Sequence, residues 1–196
     1  MEKQAKQFIL NKGLILGLVL MFFPIIDLLY GTDMSLTNYL LIFGLLWMFV
    51  YSFLILKWSK EFASYYEIFP FKDAFRTLFI ISALSLAVLT VGKTLLWTFS
   101  YPEKYIEINM KRELGFFEIQ KSLINKAYQE GTFNDSQYED QIKSFDESIR
   151  LISSKWEIIK SQGLGVTYFL QVLIYVLFLI SIYCAILALF VRKKLY

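Results

Sequence analysis

The chain has 196 residues, a net charge of +3 and an apolar share of 57%, so it is at most one membrane domain with one small appendage. Soluble domains are less apolar, and so small a net charge gives no reason to expect general affinity for nucleic acid. The chain has no histidine and one cysteine, Cys184, which removes the commonest general base, the commonest metal ligand and any disulfide within the chain. We therefore expect an integral membrane protein.

Four apolar runs are long enough to cross a bilayer. They cover residues 13–30, 36–56, 77–99 and 164–191. About 20 apolar residues span a hydrocarbon core of roughly 30 Å. A basic start before an apolar run also resembles a signal peptide, but no small-residue cleavage site follows, so we interpret the first run as a retained span. The sequence thus predicts an all-α protein with four transmembrane helices, three within residues 1–100 and the fourth, with a basic tail, within residues 163–196.

Basic residues outside these runs mark one side of the membrane. They are Lys3, Lys6 and Lys12 at the N-terminus, Lys57, Lys60, Lys72 and Arg76 in the second connection, and Arg192, Lys193 and Lys194 at the C-terminus. The outer end of the first run and the connection after it carry only the acidic residues Asp27 and Asp33. The positive-inside rule therefore predicts cytoplasmic termini and a first connection outside. Residues 101–162 are also expected outside, because loops of that length translocate largely regardless of charge.

The charged segment 101–162 is expected to fold as an extracytoplasmic helical hairpin. Its second half carries seven apolar residues at steps of four and three, a heptad stripe typical of a coiled coil. The stripe consists of Tyr138, Ile142, Phe145, Ile149, Ile152, Trp156 and Ile159. Ser136 and Glu139 have the spacing of a capping box in front of it. Pro102 suits the first turn of the other helix, and residues 130–135 predict the turn between the two.

The stripe has two interpretations. A helix of three heptads needs a tertiary partner to be stable in water. The other helix of the hairpin can supply that partner, or the hairpin can fold onto the membrane surface. Alternatively the stripe binds another subunit, either a different protein or a second copy of this chain. We favour packing within the chain and keep the stripe as a candidate partner-binding surface.

Two charges, Asp27 and Lys93, lie inside apolar runs. Both are expected near the outer ends of their spans, Asp27 in the first and Lys93 in the third. Charges within membranes are usually paired, so an Asp27–Lys93 ion pair is one prediction. Lys93 can also snorkel to the outer surface, and a functional role in gating or coordinating an ion is the third interpretation. We favour the structural roles.

Small residues four apart, such as Gly13 and Gly17, indicate close approach of helices without identifying the partner. The carboxylates of the charged segment alternate with lysines, as on a solvated helix face. No nucleophile elbow, zinc-binding pattern or dinucleotide loop is present in the sequence. We therefore expect neither an enzyme nor a bound metal or cofactor.

Three short motifs carry a family resemblance: KGLILG at residues 12–17, FKDAFR at residues 71–76 and Tyr101-Pro102 after the third span. They resemble a bacterial group of small membrane proteins, the domain-of-unknown-function 4199 family. The resemblance implies a location in the bacterial cytoplasmic (inner) membrane and implies no activity.

From these features we expect an accessory or interaction subunit of a membrane complex. It would contact the lipid bilayer and bind a protein partner, or a second copy, through the hairpin or the faces of the spans. The alternative is a component of a small oligomeric transporter or channel, because four spans with one buried lysine give a monomer little pore lining. No nucleic-acid partner is expected.

Overall fold

The computed structural model describes residues 2–32, 34 and 36–193; Asp33, Lys194 and the side chain of Lys3, which the orientation argument used, lie outside this part. The helices are α1 Glu2–Leu20, α2 Phe22–Tyr30, α3 Leu36–Tyr39, α4 Leu46–Ser64, α5 Phe71–Thr94, α6 Pro102–Gln129, α7 Asp135–Gln162 and α8 Val166–Val191. Two π-helical segments, Leu40–Leu45 and Leu95–Ser100, follow α3 and α5. The described part contains no β-strand, and the predicted all-α fold is confirmed.

Three helical stretches are long and apolar enough to cross a membrane. They are Gln4–Tyr30, Phe71–Ser100 and Val166–Val191. They contain the first and third predicted runs in full and all but the first two residues of the fourth. The first joins α1 to α2 across Met21. Pro24 lies in the first turn of α2 and has no amide hydrogen to donate to the carbonyl of Leu20. The missing hydrogen bond accounts for the break between α1 and α2 at Met21. These three helices are the basis for treating the chain as a membrane protein.

Helix α5 packs against α1, α8 and, less extensively, α4. Gly13 and Gly17 allow the close approach of α1: a Cβ atom on Gly17 would lie 2.6 Å from Cβ of Val88, and one on Gly13 would lie 2.7 Å from Cβ of Leu84. Neither position can hold a side chain without a shift of one helix. The small-residue spacing seen in the sequence therefore serves packing within this chain.

A buried polar contact joins three helices in the core of this bundle. The hydroxyl of Tyr51 in α4 donates to Oγ of Ser82 in α5 at 2.6 Å, and that oxygen lies 3.3 Å from Sγ of Cys184 in α8. All three side chains are buried. Such bonds between helices specify one packing arrangement, because each polar group would otherwise lie unsatisfied among apolar side chains.

The described parts of both termini lie at the same end of the bundle as the connection between α4 and α5. The backbone amides of Phe69 and Lys193 donate to each other's carbonyl oxygens at 3.2 and 2.8 Å. The ring of Phe8 meets that of Phe62, with 5.4 Å between centroids. Helix α6 packs against the opposite end of the bundle, which we call the α6 end.

Helices α6 and α7 pack against each other and run in opposite directions. The ring of Tyr128 stacks on that of Tyr138 with 4.2 Å between centroids. Near the other end of the pair, Nε1 of Trp156 donates to a carboxylate oxygen of Glu113 at 2.8 Å. The end of α6 therefore packs against the start of α7, and the first half of α6 packs against the second half of α7.

Helix α7 begins with a capping box formed by Asn134 and Gln137. The amide of Gln137 donates to Oδ1 of Asn134 at 2.9 Å, and the amide of Asn134 donates to Oε1 of Gln137 at 3.2 Å. The prediction that Ser136 and Glu139 form this box was wrong. The helix starts earlier because the side chain of Asn134 already accepts from the first turn.

The apolar stripe of α7 packs within the chain. Trp156 is buried, and the other six residues, Tyr138, Ile142, Phe145, Ile149, Ile152 and Ile159, are half-buried. The rings of Tyr138 and Phe145 contact rings of α6. Ile152 and Ile159 join an apolar cluster at the α6 end that is centred on Trp97, Trp156 and Phe169. This is the first of the two arrangements considered for the stripe, and its use by a partner stays a prediction.

Candidate functional site

One face of α6 contacts the α6 end of the bundle. The ring of Tyr105 lies near those of Trp97 (5.2 Å between centroids) and Phe169 (5.7 Å). Two turns further along, Arg112 donates to the carboxylate of Asp27 in α2. Residues seven apart lie on the same side of a helix. Helix α6 therefore crosses the bundle from the start of α8 to α2, with this face toward it.

Asp27 and Arg112 form a largely buried bidentate ion pair. Nη1 donates to Oδ2 at 3.1 Å, Nη2 donates to Oδ1, and the side chains of Arg112 and Asp27 are 9% and 13% exposed. The guanidinium also lies over the ring of Tyr39, 3.7 Å from its centroid. Two parallel charge-assisted bonds and an aromatic face are arrangements that arginine makes and lysine does not.

Lys93 lines the same cavity as this pair. It interacts electrostatically with both Asp27 and Arg112. Among the residues that the structure describes, however, Lys93 makes no hydrogen bond and no ion pair within 4.0 Å. The structure thus brings the two charges singled out in the sequence into one cavity, with Arg112 as the direct partner of Asp27.

This cavity, which we call the α6-end cavity, has a volume of about 280 Å³. Its polar lining consists of Asp27, Tyr39, Lys93, Tyr105, Asn109 and Arg112, and its apolar lining includes Leu20, Phe23, Pro24, Trp47, Leu89 and Trp97. Both π-helical segments border it, through Gly44 and Trp97. Short π-helical stretches occur frequently at functional sites, which makes this the strongest candidate site in the described part of the chain.

The chemistry of the α6-end cavity is that of binding. Burial raises the pKa of Tyr105, so its phenol stays neutral at physiological pH and can donate a hydrogen bond. Among the described residues, no group of three or more His, Cys, Asp or Glu side chains is arranged to hold a metal ion. The cavity offers positive charge, neutral hydrogen-bonding groups and aromatic surface.

Comparison of the chain with protein-family models, curated proteins and solved structures finds no match. The resemblance of three motifs to the domain-of-unknown-function 4199 family therefore stays a prediction. In the structure, residues 12–17 form the part of α1 that packs on α5, and residues 71–76 form the first turns of α5.

Proposed function

We propose that the chain is a four-span protein of the bacterial cytoplasmic (inner) membrane with both termini in the cytoplasm. The additional span is residues 36–56, which are helical throughout in α3, Leu40–Leu45 and α4. Tyr51 and Ile55 of this stretch are buried in the bundle core. The clustering of the described basic regions at one end supports the orientation. The α6–α7 pair is then an extracytoplasmic hairpin.

The orientation can be tested by cysteine labelling. Cys184 is buried and is the only cysteine in the sequence. Its replacement by Ala therefore gives a cysteine-free background. Single cysteines are then introduced at the exposed positions Ser144 in α7 and Ser64 at the end of α4. A membrane-impermeant maleimide applied to intact spheroplasts should label Ser144→Cys, and it should label Ser64→Cys only after lysis. Labelling in the reverse order would contradict the proposed topology.

We further propose that the protein is an accessory subunit that binds a partner membrane protein through the underside of α6. The underside is the face that carries Tyr105, Arg112, Phe116, Ile119 and Leu123. The last three are 44%, 42% and 61% exposed, although they lie outside the candidate spans. They follow Arg112 by four, seven and eleven residues, so they share the face that meets the bundle. This exposed apolar surface is the observation that carries the proposal.

The underside of α6 extends beyond the bundle's own helices. Leu123 lies eleven residues after Arg112, about 16 Å further along the axis at 1.5 Å per residue. Neighbouring helices pack at about 8–10 Å, so the underside can reach a transmembrane helix next to α2. Apolar anchors at positions i, i+3 and i+7, as in Phe116, Ile119 and Leu123, are also the pattern by which helices bind apolar grooves.

Native mass spectrometry of the protein extracted in mild detergent tests this function. The wild type should carry a second protein, and Leu123→Glu should lose it. The matched control is Leu151→Glu, because Leu151 is 59% exposed on α7 and lies off the underside. A complex that survives Leu123→Glu would contradict the proposal, as would a wild type that carries only lipid.

The second candidate is a component of a small oligomeric transporter or channel. The observation in its favour is the α6-end cavity, where Asp27, Lys93 and Arg112 lie close to the end of the predicted spans. The same spectra distinguish the two functions. A homo-oligomer that persists in Leu123→Glu would favour the transporter component over the accessory subunit.

A further inference from the structure

The α6-end cavity carries more positive than negative charge. Among its described lining residues, Lys93 and Arg112 are cationic, and Asp27 supplies the only carboxylate. Asp27 is engaged by Arg112 through both oxygens. Lys93 is left without a counterion within 4.0 Å among the described residues. A cation held away from bulk water is costly unless an anion compensates it.

Arg112 retains an unused donor. Its Nε–H is buried and has no acceptor among the described residues, and its side chain is 9% exposed. Buried N–H groups in proteins are nearly always hydrogen-bonded, so an orphan on a charged group points to a missing acceptor. A bound anion would satisfy Arg112 and Lys93 together.

The size and walls of the cavity suit a small organic molecule better than a single ion. Its volume of about 280 Å³ compares with about 30 Å³ for one water molecule in the liquid. Trp47, Trp97 and Leu89 supply apolar surface beside the charges. Ligand sites typically combine such walls with a few polar groups that fix orientation.

We propose that the α6-end cavity binds a small organic monoanion whose carboxylate lies between Lys93 and Arg112 and whose apolar body packs against Trp47 and Trp97. The single excess positive charge matches one carboxylate. Short-chain fatty acids and single-ring aromatic acids have the required charge and size. The cavity shares Tyr105 and Arg112 with the underside of α6 but not the exposed residues Phe116, Ile119 and Leu123, so this proposal does not depend on the accessory function.

Thermal unfolding of the full-length protein in detergent, with added ligands, tests the site without any variant. Benzoate or hexanoate should raise the unfolding temperature in a saturable way, and benzamide, which has nearly the shape of benzoate but no charge, should not. No shift with either carboxylate would overturn the proposal. An equal shift with inorganic phosphate would overturn the role of the apolar walls.

Substitution of Lys93 then locates the binding. Lys93→Met should weaken benzoate binding at least tenfold, because one charge-assisted contact is lost, and Lys93→Arg should restore most of it. Lys72→Met is the matched control, because Lys72 is exposed at the opposite end of the same helix. Unchanged affinity in a folded Lys93→Met protein would overturn the assignment. If that variant does not fold, Lys93→Arg and the comparison of benzoate with benzamide still decide the outcome.

Discussion

Asp27 and Arg112 show how one residue can be found in a sequence while its partner is missed. Asp27 stands out because a carboxylate inside an apolar run needs an explanation. Arg112 does not stand out, because it is one of nine basic residues in a charged segment. Only the path of α6 across the bundle, fixed at Tyr105, identifies it as the partner. The sequence offered Lys93 as the partner of Asp27, because both residues lie in apolar runs.

Asp27→Asn should destabilise the protein strongly. The substitution leaves the buried guanidinium of Arg112 without its counterion, and breaking a buried pair from one side typically costs about 3–5 kcal/mol. The measurement is the unfolding midpoint in detergent. Removal of an exposed pair partner, Lys121→Ala opposite Asp146, should cost at most about 1 kcal/mol. Similar losses from the two variants would show that the Asp27–Arg112 pair is not buried as described.

The first turn of α7 gives a second test at the scale of single residues. Asn134→Ala should cost about 1 kcal/mol, because the amide of Gln137 loses its acceptor. Ser136→Ala should be close to neutral, since that side chain does not cap the helix. Amide hydrogen exchange over residues 135–138 measures the effect directly. A larger loss of protection in Ser136→Ala than in Asn134→Ala would show that Ser136 caps the helix, as the sequence predicted.

The contact between α1 and α5 depends on glycine at a few positions. Gly17→Ala places Cβ against Val88 and the backbone oxygen of Ser85, so one helix must shift, at a cost of about 1–3 kcal/mol. Gly115→Ala in α6 is the control, because a Cβ there meets nothing within 4 Å and removing a helical glycine stabilises by about 0.5–1 kcal/mol. Thermal unfolding of both variants measures the contrast. A Gly17→Ala protein as stable as Gly115→Ala would contradict the close packing.

Periodicity predicts helices well and their neighbours poorly. The heptad stripe of α7 indicated a helix and a buried face, and the structure shows that face against α6. The underside of α6 could not be recognised from spacing alone. Phe116, Ile119 and Leu123 look like further core positions until the position of α7 on the other side of the helix is known. Which apolar face stays exposed is a property of tertiary packing.

At the scale of the whole molecule, the part of the chain that the structure describes contains two apolar cores. One lies in the bundle of α1, α4, α5 and α8, and the other lies at the α6 end around Trp97, Trp156 and Phe169. Hydropathy predicted the helices of the bundle because each contains a long apolar run, and three of them are long and apolar enough to cross a membrane. It could not predict the second core, whose members come from short stretches far apart in sequence and meet only because α6 crosses the bundle.

Trp156→Ala should loosen the second core and spare the first. Trp156 is 1% exposed, and truncating a buried tryptophan costs about 3–5 kcal/mol. Hydrogen exchange should accelerate throughout α6 and α7 and stay unchanged in the middle of α5. Ile158→Ala, at a 53% exposed position two residues away, serves as the control and should change neither. Uniform loss of protection in all helices would mean that the two cores unfold together.

The ion pair between α2 and α6 also has a consequence for the biogenesis of the protein. Asp27 and Arg112 are 85 residues apart, and at about 5–20 residues per second a ribosome needs about 4–17 s to make the intervening chain. During that interval Asp27 enters the membrane without its arginine. Lys93 is made before Arg112 and comes to line the same cavity. The lysine is therefore the first of the two cavity cations available to the carboxylate, and Arg112 can pair with Asp27 only once α6 has been synthesised.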